Sequence, residues 1–266
     1  SETRRRRVNL DAPGVGRKVV IYATCFVEYN NSNIGVAAKD VLEKNGVEVE
    51  VAYSECCGMP QLEGGKLESV SKKAKSISSG LVQWIDRGYD IVSLIPSCSF
   101  MLKSTWLMYL PDDHDVRKVA LNTYDISEYL VDLLKEEGIA NGLRPIGGDI
   151  MLHHACHAQA QNIGPKSAVI LRLIPESNLT VTQQCSGHGG TWGVLKKNHH
   201  VAVEFGAPLV DRVILDQRQY FASECPLASN HLLDGIATTN KPGHTKVDRS
   251  FHPIELLAKS YGIDKP

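Results

Sequence analysis

Seven cysteines carry the chemistry available to this chain, and they fall into two matched sets. The first runs from Cys25 across 30 residues to Cys56-Cys57-Gly58, then across 39 residues to Cys98 in Pro96-Ser97-Cys98. The second runs from Cys156 across 28 residues to Cys185-Ser186-Gly187, then across 37 residues to Cys225 in Glu224-Cys225-Pro226. The offsets between matched positions are 131, 129 and 127 residues, so the half-chains read as two copies of one plan. Thiolates gathered from three distant segments, twice, are the ligand set of iron–sulfur or zinc sites.

The copies differ at one position. The first offers four thiols, Cys25, Cys56, Cys57 and Cys98, the number a cubane cluster takes. Adjacent cysteines serve one site only from an irregular loop, and Gly58 supplies the needed backbone freedom. The second copy offers three, Cys156, Cys185 and Cys225, with Ser186 where the fourth would stand. His188 lies three residues beyond Cys185, and His153, His154 and His157 flank Cys156. Any of these can complete the site or hydrogen-bond a sulfur, with His188 and His154 the candidate ligands.

Plainer readings compete. A lone free cysteine is commonly a small buried hydrophobe, and a lone histidine is commonly a structural hydrogen-bonding residue. His199 and His200 sit inside a helical pattern. The run Gly187-His188-Gly189-Gly190 resembles a phosphate loop only in glycine content, since no Lys-Ser or Lys-Thr follows. Tight packing beside a cofactor suits it better. Zinc is the rival metal, although structural zinc sites usually present two close cysteine pairs and each copy has at most one. A Cys56-Cys57 disulfide would be strained, and no C-x-x-C redox motif occurs.

These ligands need a scaffold that brings remote segments together. Residues 18–24 are apolar and β-branched and end at Cys25, as a buried parallel strand would. A helix is expected over 33–45 with Gly46 closing it, then a strand over 47–52 leading to Cys56. A helix over 66–87, a strand over 90–95, a helix over 99–109, a fourth strand over 119–122 and an amphipathic helix over 127–137 follow. The second half repeats the order. Strands are expected over 149–153, 179–183 and 219–222, each running into a cysteine. Helices are expected over 166–174, 193–205 with a break near Gly206 and Pro208, 226–235 and 253–261.

Such alternation defines an α/β fold of two pseudo-repeated domains, each a mostly parallel sheet flanked by helices. The domains are expected at 17–142 and 148–262, with Gly142 to Gly147 as the joint. Sites in open α/β sheets lie off the carboxyl ends of strands, where each cysteine group falls.

Composition narrows the function classes. With 266 residues, 42% hydrophobic and 22% charged, the chain has the make-up of soluble globular proteins. A net charge of -1 gives no electrostatic case for nucleic acid. The run Arg4-Arg5-Arg6-Arg7 reads as a solvated start, with a membrane-proximal or partner-docking arm as the alternative. No apolar stretch approaches a spanning helix and no signal peptide is evident, so a cytoplasmic, reducing location is expected, with peripheral attachment at the inner membrane face as the variant. Clustered cysteines there serve metals more often than structural disulfides.

The segments Cys25, Cys56-Cys57-Gly58-Met59-Pro60 and Pro96-Ser97-Cys98 resemble the CCG (cysteine-rich) domain. That domain occurs in the B-type polypeptide of heterodisulfide reductase, the C-type polypeptide of anaerobic glycerol-3-phosphate dehydrogenase, and glycolate and lactate oxidase iron–sulfur subunits. His153 to Gly164, Cys185 to Gly193 and Ser223 to Ala228 resemble the second domain of the glycerol-3-phosphate dehydrogenase C-type branch. The likeness implies an iron–sulfur electron-transfer protein or redox subunit with one or two clusters, 4Fe-4S by preference. It would pass electrons between a flavin dehydrogenase or ferredoxin-like donor, or a membrane-associated partner, and a quinone, thiol/disulfide or soluble acceptor.

The family pattern carries a further cysteine at the positions of Ile95 and Ala222, so neither copy holds five and a cubane in the first copy is implied. The ferredoxin-like segment that usually precedes the pair is not within these residues, so electrons are expected from a partner or from more of a longer polypeptide. Two other functions stand beside this one. An under-ligated second site could reduce a small substrate directly, with His154 or His157 moving protons. A zinc-stabilised scaffold would do no redox chemistry at all.

Overall fold

The structure, a computed structural model, describes residues 11–239 and 247–263. The Arg4–Arg7 run lies outside the described residues.

The first half runs β1 (Lys18–Tyr22), α1 (Cys25–Tyr29), α2 (Ser32–Lys44), β2 (Glu48–Ala52), α3 (Met59–Glu63), α4 (Leu67–Ile85), β3 (Asp90–Ser93) and α5 (Pro96–Phe100). A π-helical turn, Met101–Thr105, joins α5 to α6 (Trp106–Tyr109). Then come α7 (His114–Leu121), β4 (Thr123–Asp125) and α8 (Ile126–Glu136). The second half runs β5 (Ile150–His153), α9 (Cys156–Ala160), α10 (Lys166–Leu171), β6 (Leu179–Thr182), α11 (Gly190–Gly193), α12 (His199–Asp216), β7 (Tyr220–Ser223), α13 (Pro226–Thr238) and α14 (Pro253–Ser260).

Both sheets are parallel and share one strand order. The first is β2-β1-β3-β4 and the second β6-β5-β7, with Phe251 bridging Ala222 where a fourth strand would lie. The architecture is therefore the expected α/β one, two pseudo-repeated parallel sheets flanked by helices. Val19 to Tyr22 are buried throughout, as a central parallel strand covered on both faces requires. The register aligns the strand ends: Tyr22 pairs with Ala52 and Ser93, and His153 with Thr182 and Ser223. Every cysteine follows one of these ends by a few residues, so remote parts of the chain meet at two sheet edges.

The halves interlock. One apolar core runs from Val19 in β1 to Tyr261 after α14. α14 packs on α2 of the first half, where Asn33 donates to Glu255 at 2.7 Å. Ser127 and Ser167 join α8 to α10 at 2.8 Å. Equivalent residues cap the last helix of each half. Asp125 and Glu128 form a capping box on α8, and His252 and Glu255 form one on α14.

Several expected elements are placed differently. Residues 119–121 end a helix instead of forming the fourth strand. Asp113 caps α7 through the amides of Asp115 and Val116, Val116 and Val119 form its buried face, and the strand begins at Thr123. The helix expected over 193–205 is two elements, and the longer one, α12, continues unbroken through Gly206 and Pro208 to Asp216. The segment 99–109 is helical but passes through the π turn. Short helices starting at Cys25, Met59 and Cys156 are not legible from periodicity, because five residues are too few to show it.

Candidate metal centres

In the first half, Cys25 opens α1 one residue after Thr24, whose hydroxyl accepts from the Val27 amide at 3.3 Å. Cys56 and Cys57 lie in the irregular loop between β2 and α3. Gly58 ends that loop at a φ of 93°, left-handed backbone that a glycine adopts without strain. Two buried side chains hold the loop. Tyr22 donates its hydroxyl to the Glu55 carbonyl at 2.6 Å, and Trp106 donates its indole N–H to the Cys57 carbonyl at 3.1 Å. Cys98 sits in the first turn of α5, started by Pro96.

The four thiols meet. Cys57 Sγ is 3.3 Å from Cys98 Sγ, and the Cys56 thiol is within hydrogen-bond reach of both Cys25 and Cys57. Cys57 and Cys98 are buried, while Cys25 and Cys56 are half-buried. Hydrogen bonds from Cys25 and Cys57 hold the Cys56 thiol far below its ordinary value, with Lys73 adding to the effect. Contact with Cys56 first, and burial second, push the Cys25 thiol up. The group can thus carry negative charge on one sulfur while its neighbours donate to it.

The second set is arranged around space. Cys156, Cys185 and Cys225 line a cavity of ≈ 460 Å³ together with His153, His157, His188 and Ser186. Cys156 and Cys185 are exposed and Cys225 is half-buried. Burial raises the Cys156 thiol and pushes Cys225 up to about 11. Ser186 is buried and accepts from the His188 amide at 3.4 Å. His188 faces the cavity with Nδ1 accepting from the Gly190 amide at 3.0 Å, and burial lowers its pKa. His154 is turned away to Glu224, its Nδ1 at 3.0 Å from one carboxylate oxygen. His153 meets the Ser223 hydroxyl at 2.9 Å and the Gln184 carbonyl at 3.1 Å, which fixes its ring at the cavity wall.

Glu224 stands in the sequence only as part of a motif, and its role is visible only in three dimensions. It is 3% exposed, and it accepts from the Ala155 amide at 2.8 Å, tying the strand end of Cys156 to that of Cys225. A carboxylate immediately before a cysteine at a strand end is the available signal. Trp106 and Tyr22 give none, since buried aromatics are ordinary core residues.

The two sets are neighbours. The pKa of Cys225 is raised in part by charge at Cys98. Cys98 joins the first group, while Pro96 and Ser97 of the same helix line the second cavity. Phe100 stacks on His157 with ring centres 5.7 Å apart. Gln161 donates to the Ser99 hydroxyl at 3.1 Å, and Ser99 lies 3.2 Å from the Asp125 carboxylate. Among the described residues, no three His, Cys, Asp or Glu side chains stand around a single point as one bare ion would require. Soft, free thiols in one group of four and another of three fit a multi-iron cofactor by donor chemistry. No helix among the described residues is long and apolar enough to cross a membrane.

Comparison with known proteins identifies the family. The cysteine-rich CCG domain matches residues 19–103. Lactate utilization protein A of Bacillus cytotoxicus is 31% identical over 186 residues, covering 66% of this chain and 74% of that protein. The Bacillus cereus G9842 protein of the same name is 30% identical over the same shares. A subunit of the fumarate reductase (CoM/CoB) of Methanothermobacter marburgensis is 26% identical over 94% of this chain, which spans 47% of that longer protein. The chain belongs to the CCG cysteine-rich family, in the heterodisulfide reductase B-like group that holds these relatives. A sugar-bound ABC-transporter solute-binding protein from Burkholderia graminis aligns over 93% of this chain and 81% of its own at a TM-score of 0.27 and 10% identity, below the level of a shared fold.

Proposed function

We propose that this chain is an iron–sulfur electron-transfer protein or redox subunit with two tandem CCG domains at 17–142 and 148–262. Cys25, Cys56, Cys57 and Cys98 would hold one 4Fe-4S cluster. Cys156, Cys185 and Cys225 would hold a second, with His188 at the cavity wall as the fourth candidate. Bound there, a cluster supplies reversible one-electron chemistry. The single observation that carries the reading is the meeting of four free thiols from three strand ends, with Cys57 and Cys98 at 3.3 Å. Membership of the CCG family and relatives that include a fumarate reductase subunit support redox work.

The protein's own part is to hold and shield the ligands. Tyr22 and Trp106 fix the CCG loop through backbone carbonyls, and burial of Cys57 and Cys98 keeps water from that side. The partners in this reading are a dehydrogenase-type donor and a quinone, thiol/disulfide or soluble acceptor, met in the cytoplasm.

A second reading rests on the cavity of ≈ 460 Å³ against the three-thiol set, large enough to admit a small substrate for direct reduction. Anaerobic purification with iron, sulfide and zinc analysis, and electron paramagnetic resonance of the reduced protein, tests the proposal. A brown protein with matched iron and sulfide is expected. A colourless protein that takes up no iron on reconstitution overturns it, and stoichiometric zinc without sulfide would make it a scaffold.

A further inference from the structure

The glycine run after Cys185 receives a side chain from the other half of the molecule. Glu63 ends α3, five residues after Gly58 of the CCG loop. Its carboxylate accepts from both the amide and the hydroxyl of Thr191, each at 2.7 Å. Thr191 follows Gly187-His188-Gly189-Gly190, the segment that carries His188 away from Cys185. Gly190 has a φ of 58°, and a Cβ there would lie 1.8 Å from a Glu63 carboxylate oxygen. The loop's other side is as close, since a Cβ at Gly187 would lie 2.3 Å from the Ala202 carbonyl oxygen. The loop is therefore wedged between α12 and Glu63, and Glu63 and Gly190 both line the cavity beside His188. The glycines make room for a carboxylate already in the chain, not for a phosphate.

We propose that Glu63 is a positioning residue for the second centre: a carboxylate lent by the first half that fixes the Cys185–His188 loop at the cavity mouth. The inference deepens the proposed function, because it rests on the second thiol set holding iron. It makes the second centre dependent on a residue of the first half that sits beside the first centre's own loop.

The full chain tests it in three forms: wild type, Glu63→Ala, and Glu63→Gln, which keeps a carbonyl oxygen for the two Thr191 donors. Hydrogen–deuterium exchange of the 185–195 segment reads the strap, with or without iron. Loss of hydrogen bonds to a solvent-exposed carboxylate should speed exchange there about fivefold in Glu63→Ala. Glu63→Gln should restore most of the protection, and exchange around Cys56 and Cys57 should not change. In the iron-loaded protein, Glu63→Ala should alter the resonance signal lost on removing Cys225 and leave intact the one lost on removing Cys98. Unchanged exchange in Glu63→Ala overturns the strap. A freed loop with an identical second signal overturns the positioning role. A wild type with no iron at the second centre defeats the proposed function instead, and the exchange measurement still decides the strap.

Discussion

The two cysteine sets occupy equivalent sheet edges yet differ in what they enclose. In the first half, four thiols crowd together, Cys57 against Cys98 at 3.3 Å, with two of them buried. In the second half, three thiols stand around a cavity of ≈ 460 Å³, with two of them exposed. The strand order and helix caps are shared, so the scaffold does not make the difference. The side chains at two places do. Ser186 stands where Cys57 does, and the glycine loop after it is held between α12 of its own half and Glu63 of the other. One frame thus holds one set closed and the other open, and under the proposed function the closed set would carry electrons while the open one could also meet a partner or substrate.

The strongest way to break that comparison is to remove a ligand from the closed set. Cys98→Ala should lower first-centre iron and remove its resonance signal, because it takes one of two buried thiols from the set and leaves only Cys57 buried beside the half-buried Cys25 and Cys56. The second centre's signal should survive, measured by iron content and resonance together. If both signals vanish, the sets are one site and the two-centre reading is wrong. The converse change, Ser186→Cys, should make the open set resemble the closed one. Iron retention at the second centre during chelator challenge should rise several-fold, while any turnover of a small substrate there should fall. Unchanged turnover would remove the catalytic reading.

A smaller effect is expected from the brace behind the CCG loop. Trp106→Phe leaves the buried Cys57 carbonyl without its donor, at a cost of about 1–3 kcal/mol. A thermal midpoint lower by several degrees follows for a chain of this size. The first centre's reduction potential should move and the second's should hold, as redox titration would show.

Much of this is readable beforehand because ligand chemistry leaves its mark on sequence. Paired spacings mark both cysteine sets, and strands running into Cys25, Cys98 and Cys225 mark the sheet edges. The features that escape are those set by tertiary contact. Residues 119–121, Val-Ala-Leu, have the apolar look of a short strand, but Asp113 starts a helix whose buried face is Val116 and Val119. Pro208 suggests a break, yet α12 runs on to Asp216 with Gly206 pressed against Ser186, where a Cβ would lie 2.4 Å from its carbonyl oxygen. Glu63 and Thr191 are 128 positions apart, and no local pattern pairs a carboxylate with a loop so distant.

The finest contrast between the halves is a matched pair of helix caps that answer pH in opposite directions. Asp125 caps α8, and burial, reinforced by the charge of Glu224, raises its pKa to about 7. His252 caps α14, and burial lowers its pKa to about 4. For Asp125 the folded state keeps a proton that the unfolded chain gives up near its ordinary 3.8, so stability falls as pH rises from there to about 7. For His252 the unfolded chain takes a proton below its ordinary 6.5 that the folded state refuses, so stability rises as pH rises from about 4 to 6.5. The two slopes oppose each other over the shared window. Asp125→Asn, which keeps a capping oxygen, should expose the rising slope in thermal midpoints taken between pH 4 and 6.5. His252→Asn should expose the falling one. The slope relative to wild type is the readout, since either change also shifts the midpoint through lost contacts. Parallel profiles in all three proteins would mean that the caps do not titrate across this range, and the contrast between the halves would then reduce to their thiols.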